Sequence, residues 1–399
     1  MERLISFVGL WVMISIAVAL STDRKRIDWR LVFSGVGLQI AFGMLVLWTE
    51  PGRIAFDWAR TVIGQIISFS DAGAEMVFGK DFREHFFAFS VLSTIVFFSS
   101  LMGVLFHLGL IQKLVEFFAW IMLKTMRISG AESLSAAANI FVGQTEAPLV
   151  VKPYIGSMTR SEVMAMMTGG MATVSGGVMA AFVGFGVDAG HLLAASVMSA
   201  PASLVLAKIM VPETEKSKTF GSVKIHVEKT GENVIDAACR SASDGLKLAL
   251  NVAAMLVSFI AFAALLNWLL SVFPPIAGEP LTFERIMSWI FAPLAFFTGV
   301  PLEEVSTVGM LLGKKTFLNE FIAYLDLKDL KGTLSERAFT ISTYALCGFA
   351  NFSSVAIQIG GIGALVPERR KDLAKNGMRS LIGGTLAALM TACVAGMLL

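Results

Sequence analysis

Uncharged apolar runs recur along the whole chain. Crossing about 30 Å of hydrocarbon takes roughly 18 or more such residues in a helix. The runs predict membrane-crossing helices over residues 4–22, 31–48, 86–112, 163–187, 189–209, 248–273, 338–366 and 380–399. Other stretches mix charge with apolar residues at helical spacing. Ile54, Trp58, Val62 and Ile66 do so within 50–85, and Leu114, Phe117, Phe118 and Ile121 within 113–127. These read as amphipathic helices lying on the membrane surface. Residues 234–247 read as another surface helix, and 281–297 as a short interfacial one with Trp289 at headgroup depth. Residues 212–233 form the one plainly hydrophilic loop, and Lys208 stands near the end of a span, where a lysine can snorkel to the surface.

Two polar interruptions stand out from this pattern. Residues 129–161 are too long for a turn and too polar at the centre for a span. That centre is Gly143-Gln144-Thr145-Glu146-Ala147-Pro148. The glycine and the proline both resist continuing a helix. Broken polar backbone survives in lipid only where protein or water surrounds it. A re-entrant hairpin with Gln144, Thr145 and Glu146 at its tip fits; an ordinary loop outside the membrane is the other reading. The second interruption is Lys314-Lys315-Thr316-Phe317-Leu318-Asn319-Glu320-Phe321.

The two interruptions are related by spacing. Glu146 is followed by Ser161-Glu162 and Glu320 by Ser335-Glu336, at the same interval. Each pair then opens an uncharged run with polar residues near its middle: Thr173 and Ser175 in one, Asn351 and Ser354 in the other. Gly169-Gly170 and Gly176-Gly177 suggest that the run over 163–187 is broken midway, although small residues also serve close helix packing. Three spans separate the interruptions, so the second copy enters from the opposite face. That is an inverted repeat, with a binding site expected between the copies at the midplane. The chain therefore reads as an all-α polytopic membrane protein. It has eight transmembrane helices, two oppositely oriented re-entrant hairpins in an inverted repeat, and interfacial amphipathic helices.

Charge sets the orientation. The basic loops 23–30, 113–127, 213–247 and 367–379 all fall on one face of an eight-span chain, which the positive-inside rule makes cytoplasmic. Both termini are then outside. No signal-peptide cleavage site follows the first apolar run, so it reads as a retained span. A formal net charge of +2, without a basic cluster interleaved with aromatics, gives no sign of a nucleic-acid partner. Cys239, Cys347 and Cys393 show neither a disulfide framework nor zinc spacing, and His85, His107, His191 and His226 are isolated.

Converging tips and broken spans would offer two carboxylates (Glu146, Glu320), two amides (Gln144, Asn351) and hydroxyls (Thr145, Ser354), with Phe349 as an aromatic face. Lys152, Lys314 and Lys315 flank the tips rather than aim at the centre. Such a site suits a neutral, hydroxyl-rich solute better than an anion. Carbonyls freed at a helix break can hold Na+, and Asn139 and Thr173 could add side-chain oxygens. Helix capping or back-bonding is the other reading of those two. An intramembrane enzyme lacks support: neither H-E-x-x-H nor G-x-S-x-G occurs, and no histidine lies near either glutamate in sequence. A passive channel would not need carboxylates at two inverted tips.

Gly143–Pro148, Asn319-Glu320-Phe321 and Gly348-Phe349-Ala350-Asn351-Phe352-Ser353-Ser354 together resemble the concentrative nucleoside transporters, bacterial and sodium-coupled in type. The resemblance covers essentially the whole chain. It implies a secondary active symporter importing nucleosides such as uridine across the bacterial cytoplasmic membrane, driven by sodium, as a homotrimer with elevator-type alternating access. Proton coupling is the alternative. By resemblance, Gln144, Thr145 and Glu146 contact the base with Val178 nearby. Glu320, Asn351 and Ser354 bind ribose, and Phe349 lines the pocket. Sodium falls on Asn139 and Thr173, with carbonyls of Val142, Thr173 and Val174. The implied division is scaffold over 1–110 and 213–273, and transport domain over 111–212 and 274–399.

Overall fold

The computed structural model describes residues 1–221, 231–276 and 278–399. His226 and part of the hydrophilic loop expected over 212–233 lie outside the described residues. The described backbone is helical: α1 (Glu2–Ala19), α2 (Trp29–Trp48), α3 (Glu50–Phe78), α4 (Leu92–His107), α5 (Leu110–Met126), α6 (Gly130–Ala138), α7 (Ala147–Val150), α8 (Lys152–Ile155), α9 (Arg160–Ala172), α10 (Gly176–Gly184), α11 (Ala189–Met210), α12 (Val234–Leu270), α13 (Phe283–Phe297), α14 (Val305–Phe317), α15 (Glu320–Asp329), α16 (Glu336–Leu346), α17 (Phe352–Leu365) and α18 (Arg370–Leu398). Among the described residues, seven helical segments are long and apolar enough to cross a membrane, and Phe352–Leu365 is apolar but shorter. The missing eighth is the run over 338–366, which is divided into α16 and α17 and so fails on length.

At the centre stands α11, whose side chains are almost all buried. It packs with α9, α18 and α2, and α18 also carries α16, α17 and α1. Small residues make these approaches possible. A Cβ on Gly384 would run into Met171 of α9, and one on Gly9 into Phe297.

Several expected boundaries move. The surface helix over 234–247 and the span over 248–273 are one helix, α12. Its buried stripe, Ala237, Gly245, Ala249, Val252 and Leu256, runs unbroken along α4, where Gly245 meets Val96 and Ser99 and Gly103 meets Ser241. Close packing on one partner therefore outweighs the change from polar to apolar composition. The chain turns between α4 and α5 at Gly109, whose φ of +76° is open to glycine. In α5 the buried stripe is Ile111, Val115, Ala119, Met122 and Met126, while Leu114, Phe117 and Trp120 are exposed. Helix α13 packs closely on α14, with Ala292, Ser288 and Met287 against Gly309 and Gly313.

Candidate functional site

Each half of the chain holds one helical hairpin and one broken helix. The first hairpin descends through α6, turns over residues 139–146 and returns through α7 and α8. Ser129 starts it with a capping box to Glu132. At the turn, Gly143 sits close to its neighbours: a Cβ there would displace the Glu146 carboxylate and crowd the Cβ of Ser175. The second hairpin is α14 and α15, with Asn319 capping α15 through the Ile322 N–H at 3.0 Å.

Helix α9 stops at Ala172, and Ser175 caps α10. Helix α16 stops at Leu346, and Asn351 caps α17 by accepting from the Ser354 N–H at 2.8 Å. The two breaks touch: the Phe349 N–H donates to the Thr173 carbonyl at 3.3 Å. Gly348, at φ +118°, lets the backbone pass over Met171 and Ala172. The Ser-Glu pairs that mark the repeat in sequence do not match in role. Thr159 caps α9, with Glu162 as the third helical residue, whereas Ser335 itself caps α16.

A chain of hydrogen bonds joins the tips. The Gln144 amide donates to the Ser354 hydroxyl at 3.0 Å, and the Asn351 amide donates to the Glu320 carboxylate at 2.7 Å. Ser354 and Asn351 are linked by the cap of α17. Gln144, Ser354, Asn351 and Glu320 are all buried. Phe349 is buried beside them through its contact with Thr173, and Val178 is buried in the first turn of α10. Thr145 and Glu146 are exposed. The Glu146 side chain lies against Gly143, apart from the chain that holds Glu320.

One polar residue at this site escaped the sequence reading, and another was placed wrongly by it. Gln358 of α17 spends both amide hydrogens, on Gln144 Oε1 and on the Met167 carbonyl, each at 3.1 Å. A lone glutamine in an apolar helix was the available signal. Lys315 does not flank the tip: it is 1% exposed and donates to the carbonyls of Ala345 at 3.0 Å and Cys347 at 3.3 Å. Nor does Lys208 snorkel. It is buried in an ion pair with Glu132 and bonds Ser161 at 3.0 Å and Glu213 at 3.1 Å. This cluster ties the start of α6 to the start of α9 and the end of α11. A cavity of about 500 Å³ beside it is lined by Arg26, Arg127, Glu132, Lys208 and Glu213 among others, away from the tips.

Asn139 and Thr173 suit a sodium ion. Asn139 Nδ2 donates to the Ser135 carbonyl at 2.9 Å, which fixes the amide orientation. Its Oδ1 is then left buried without a partner among the described residues. Thr173 donates to the Gly169 carbonyl at 3.0 Å and keeps its lone pairs. Back-bonding thus occupies one Asn139 amide hydrogen and the Thr173 hydroxyl proton and leaves the oxygens. The Val142 and Val174 carbonyls belong to the same two segments, the first tip and the α9 break.

Broken helices met by polar hairpin tips define a multi-pass helical membrane protein of the transporter class. Residues 8–81 match the N-terminal part of the Na+ dependent nucleoside transporter family, 191–396 its C-terminal part, and 88–189 the nucleoside recognition family called Gate. The chain belongs to the Na+ dependent nucleoside transporter family, whose coupling ion is sodium. It is 45% identical to rat solute carrier family 28 member 3 over 414 residues and 43% identical to rat sodium/nucleoside cotransporter 1 over 415. Those alignments cover all of this chain but 59% and 64% of the relatives, so the chain spans roughly three-fifths of their length. An inward-facing, substrate-bound structure of CNTnw superposes with a TM-score of 0.92 at 42% identity, covering 99% of this chain and 98% of that one. A CNTnw variant in an outward-facing state gives 0.94 at 41% identity, covering 100% and 99%.

Proposed function

We propose that this protein imports nucleosides across the bacterial cytoplasmic membrane by sodium symport. The observation that carries the reading is the buried hydrogen-bond chain from Gln144 through Ser354 and Asn351 to Glu320. It joins two hairpin tips through one helix cap. A nucleoside is a ligand that can replace those bonds from both ends. Its ribose hydroxyls donate to Glu320 and pair with Asn351 and Ser354, while its base meets Gln144, Thr145 and Glu146, with Val178 and Phe349 as apolar walls. Carboxylate and amide acceptors for paired hydroxyls favour a neutral riboside over an anion.

Sodium sits on the Asn139 and Thr173 oxygens with the Val142, Thr173 and Val174 carbonyls, and so orders the first tip against the α9 break. Without sodium and nucleoside, the first tip exposes the Glu146 carboxylate, and moving a carboxylate through lipid costs a few kcal/mol or more. Only the loaded domain hides it well enough to cross. In this reading the hairpins are re-entrant from opposite faces and both termini are outside. Residues 111–212 and 274–399 move as an elevator against a scaffold of 1–110 and 213–273, in a homotrimer. Uridine uptake into proteoliposomes tests it, with an inward sodium gradient, with a proton gradient, and with neither. Accumulation with sodium alone is expected. Accumulation with the proton gradient alone would replace sodium by proton coupling.

A further inference from the structure

The two helix breaks share a spacing but are capped differently. Ala172 and Leu346 end the first halves 174 residues apart, the spacing that also relates Glu146 to Glu320. Each break leaves helix C-terminal carbonyls without intrahelical partners, at the negative end of a helix dipole. Inside a membrane protein those oxygens need donors or a cation. At the α9 break the facing hairpin offers Asn139, with its buried, partnerless Oδ1. At the α16 break the facing hairpin offers Lys315.

The Lys315 ammonium has the surroundings of a bound ion. It is among the largest fully buried side chains, and among the described residues its hydrogen-bond partners are two main-chain carbonyls of one broken helix. Backbone oxygens at a half-helix end are the donor set with which a broken helix holds a bare cation. A compact ammonium on a four-carbon stem can take that place. The residue 174 positions before Lys315 is Phe141, in the turn of the first tip, so the first repeat has no such cation of its own.

We propose that Lys315 is a tethered cation. Its ammonium fills, in the second repeat, the position that the first repeat leaves to an exchangeable sodium ion. The proposal rests on the sodium reading of Asn139 and Thr173. It makes Lys315 a positioning residue that holds the α16–α17 break, and with it the Asn351 cap and Glu320, without drawing on sodium.

Radiolabelled sodium binding to the full-length protein in nanodiscs, with uridine present, separates the two ideas. Sodium binding by the parent that is lost in Asn139→Ala supports the first-repeat site; its persistence there sinks that reading alone. For Lys315→Ala, the proposal expects one more sodium ion bound per protomer than in the parent, and a larger rise in melting temperature with sodium over choline. Lys315→Arg, which keeps a cation, is expected to keep the parent's count. An unchanged count in folded Lys315→Ala overturns the proposal. If that variant fails to fold, Lys315→Met keeps most of the stem's packing and is expected to show the extra ion. Failure of both to fold at every sodium concentration also overturns it, because the freed carbonyls then take no ion.

Discussion

The Gln144 side-chain amide donates to the Ser354 hydroxyl at 3.0 Å across 210 positions of sequence. That bond places the first hairpin tip on the helix capped by Asn351, which holds Glu320 of the second. Gln358 fixes Gln144 from the other side. Replacing Gln358 with leucine removes two hydrogen bonds of about 1 kcal/mol each and frees the Gln144 carbonyl to turn away. Uridine affinity by calorimetry is expected to fall about 5- to 20-fold. Unchanged affinity would remove Gln358 from the positioning of the site.

Asn139 supplies a buried oxygen that nothing among the described residues satisfies. A ligand at a hundredfold excess over its Kd stabilises the folded state by about 2.7 kcal/mol. Asn139→Ala is therefore expected to lose most of the thermal stabilisation that sodium gives the parent and potassium does not. A sodium-specific shift as large as the parent's would exclude Asn139 as a ligand.

Gly348 adopts φ +118°, and a Cβ there would meet the Met171 and Ala172 backbone. Gly348→Ala combines that clash with a backbone strain of about 1–3 kcal/mol. It should push apart the two breaks where Phe349 bonds Thr173. A lower melting temperature together with weaker uridine binding is the expected result. A variant as stable as the parent would show that the contact is dispensable.

Glu213 lies beyond α11 and accepts from the Thr159 hydroxyl at 2.8 Å and the Lys208 ammonium at 3.1 Å. Partial burial pulls its carboxyl upward, but the Lys208 charge and the Glu215 N–H bring it below the ordinary value of 4.5. A folded value below the unfolded one adds stability above about pH 4.5, and that stability is lost as pH falls through the folded value. Glu213→Gln is thus expected to lower the melting temperature at neutral pH and to approach the parent under acid conditions. A difference that grows toward low pH would reverse the assigned sign.

Much of this architecture is legible along the chain. Lipid admits helices and little else, so uncharged runs announce helices directly. Lys208 shows where that stops. Near the end of an apolar run it reads as a snorkelling lysine, yet it pairs with Glu132 from a distant helix. The division of α12 failed for a related reason: composition changes at residue 248, but the stripe that meets α4 does not.

The sequence by itself determined the helical membrane class, the two polar tips, the broken run over 163–187 and the spacing that relates the halves. Hydropathy and helix-breaking residues act locally, so they can be read in order. Only the tertiary structure decided that Gln144 reaches Ser354, that Gln358 holds Gln144, and that Lys315 turns inward to the α16 carbonyls. Those choices depend on which buried donors and acceptors are left over once the helices pack. Each such group must find a partner wherever the fold places one.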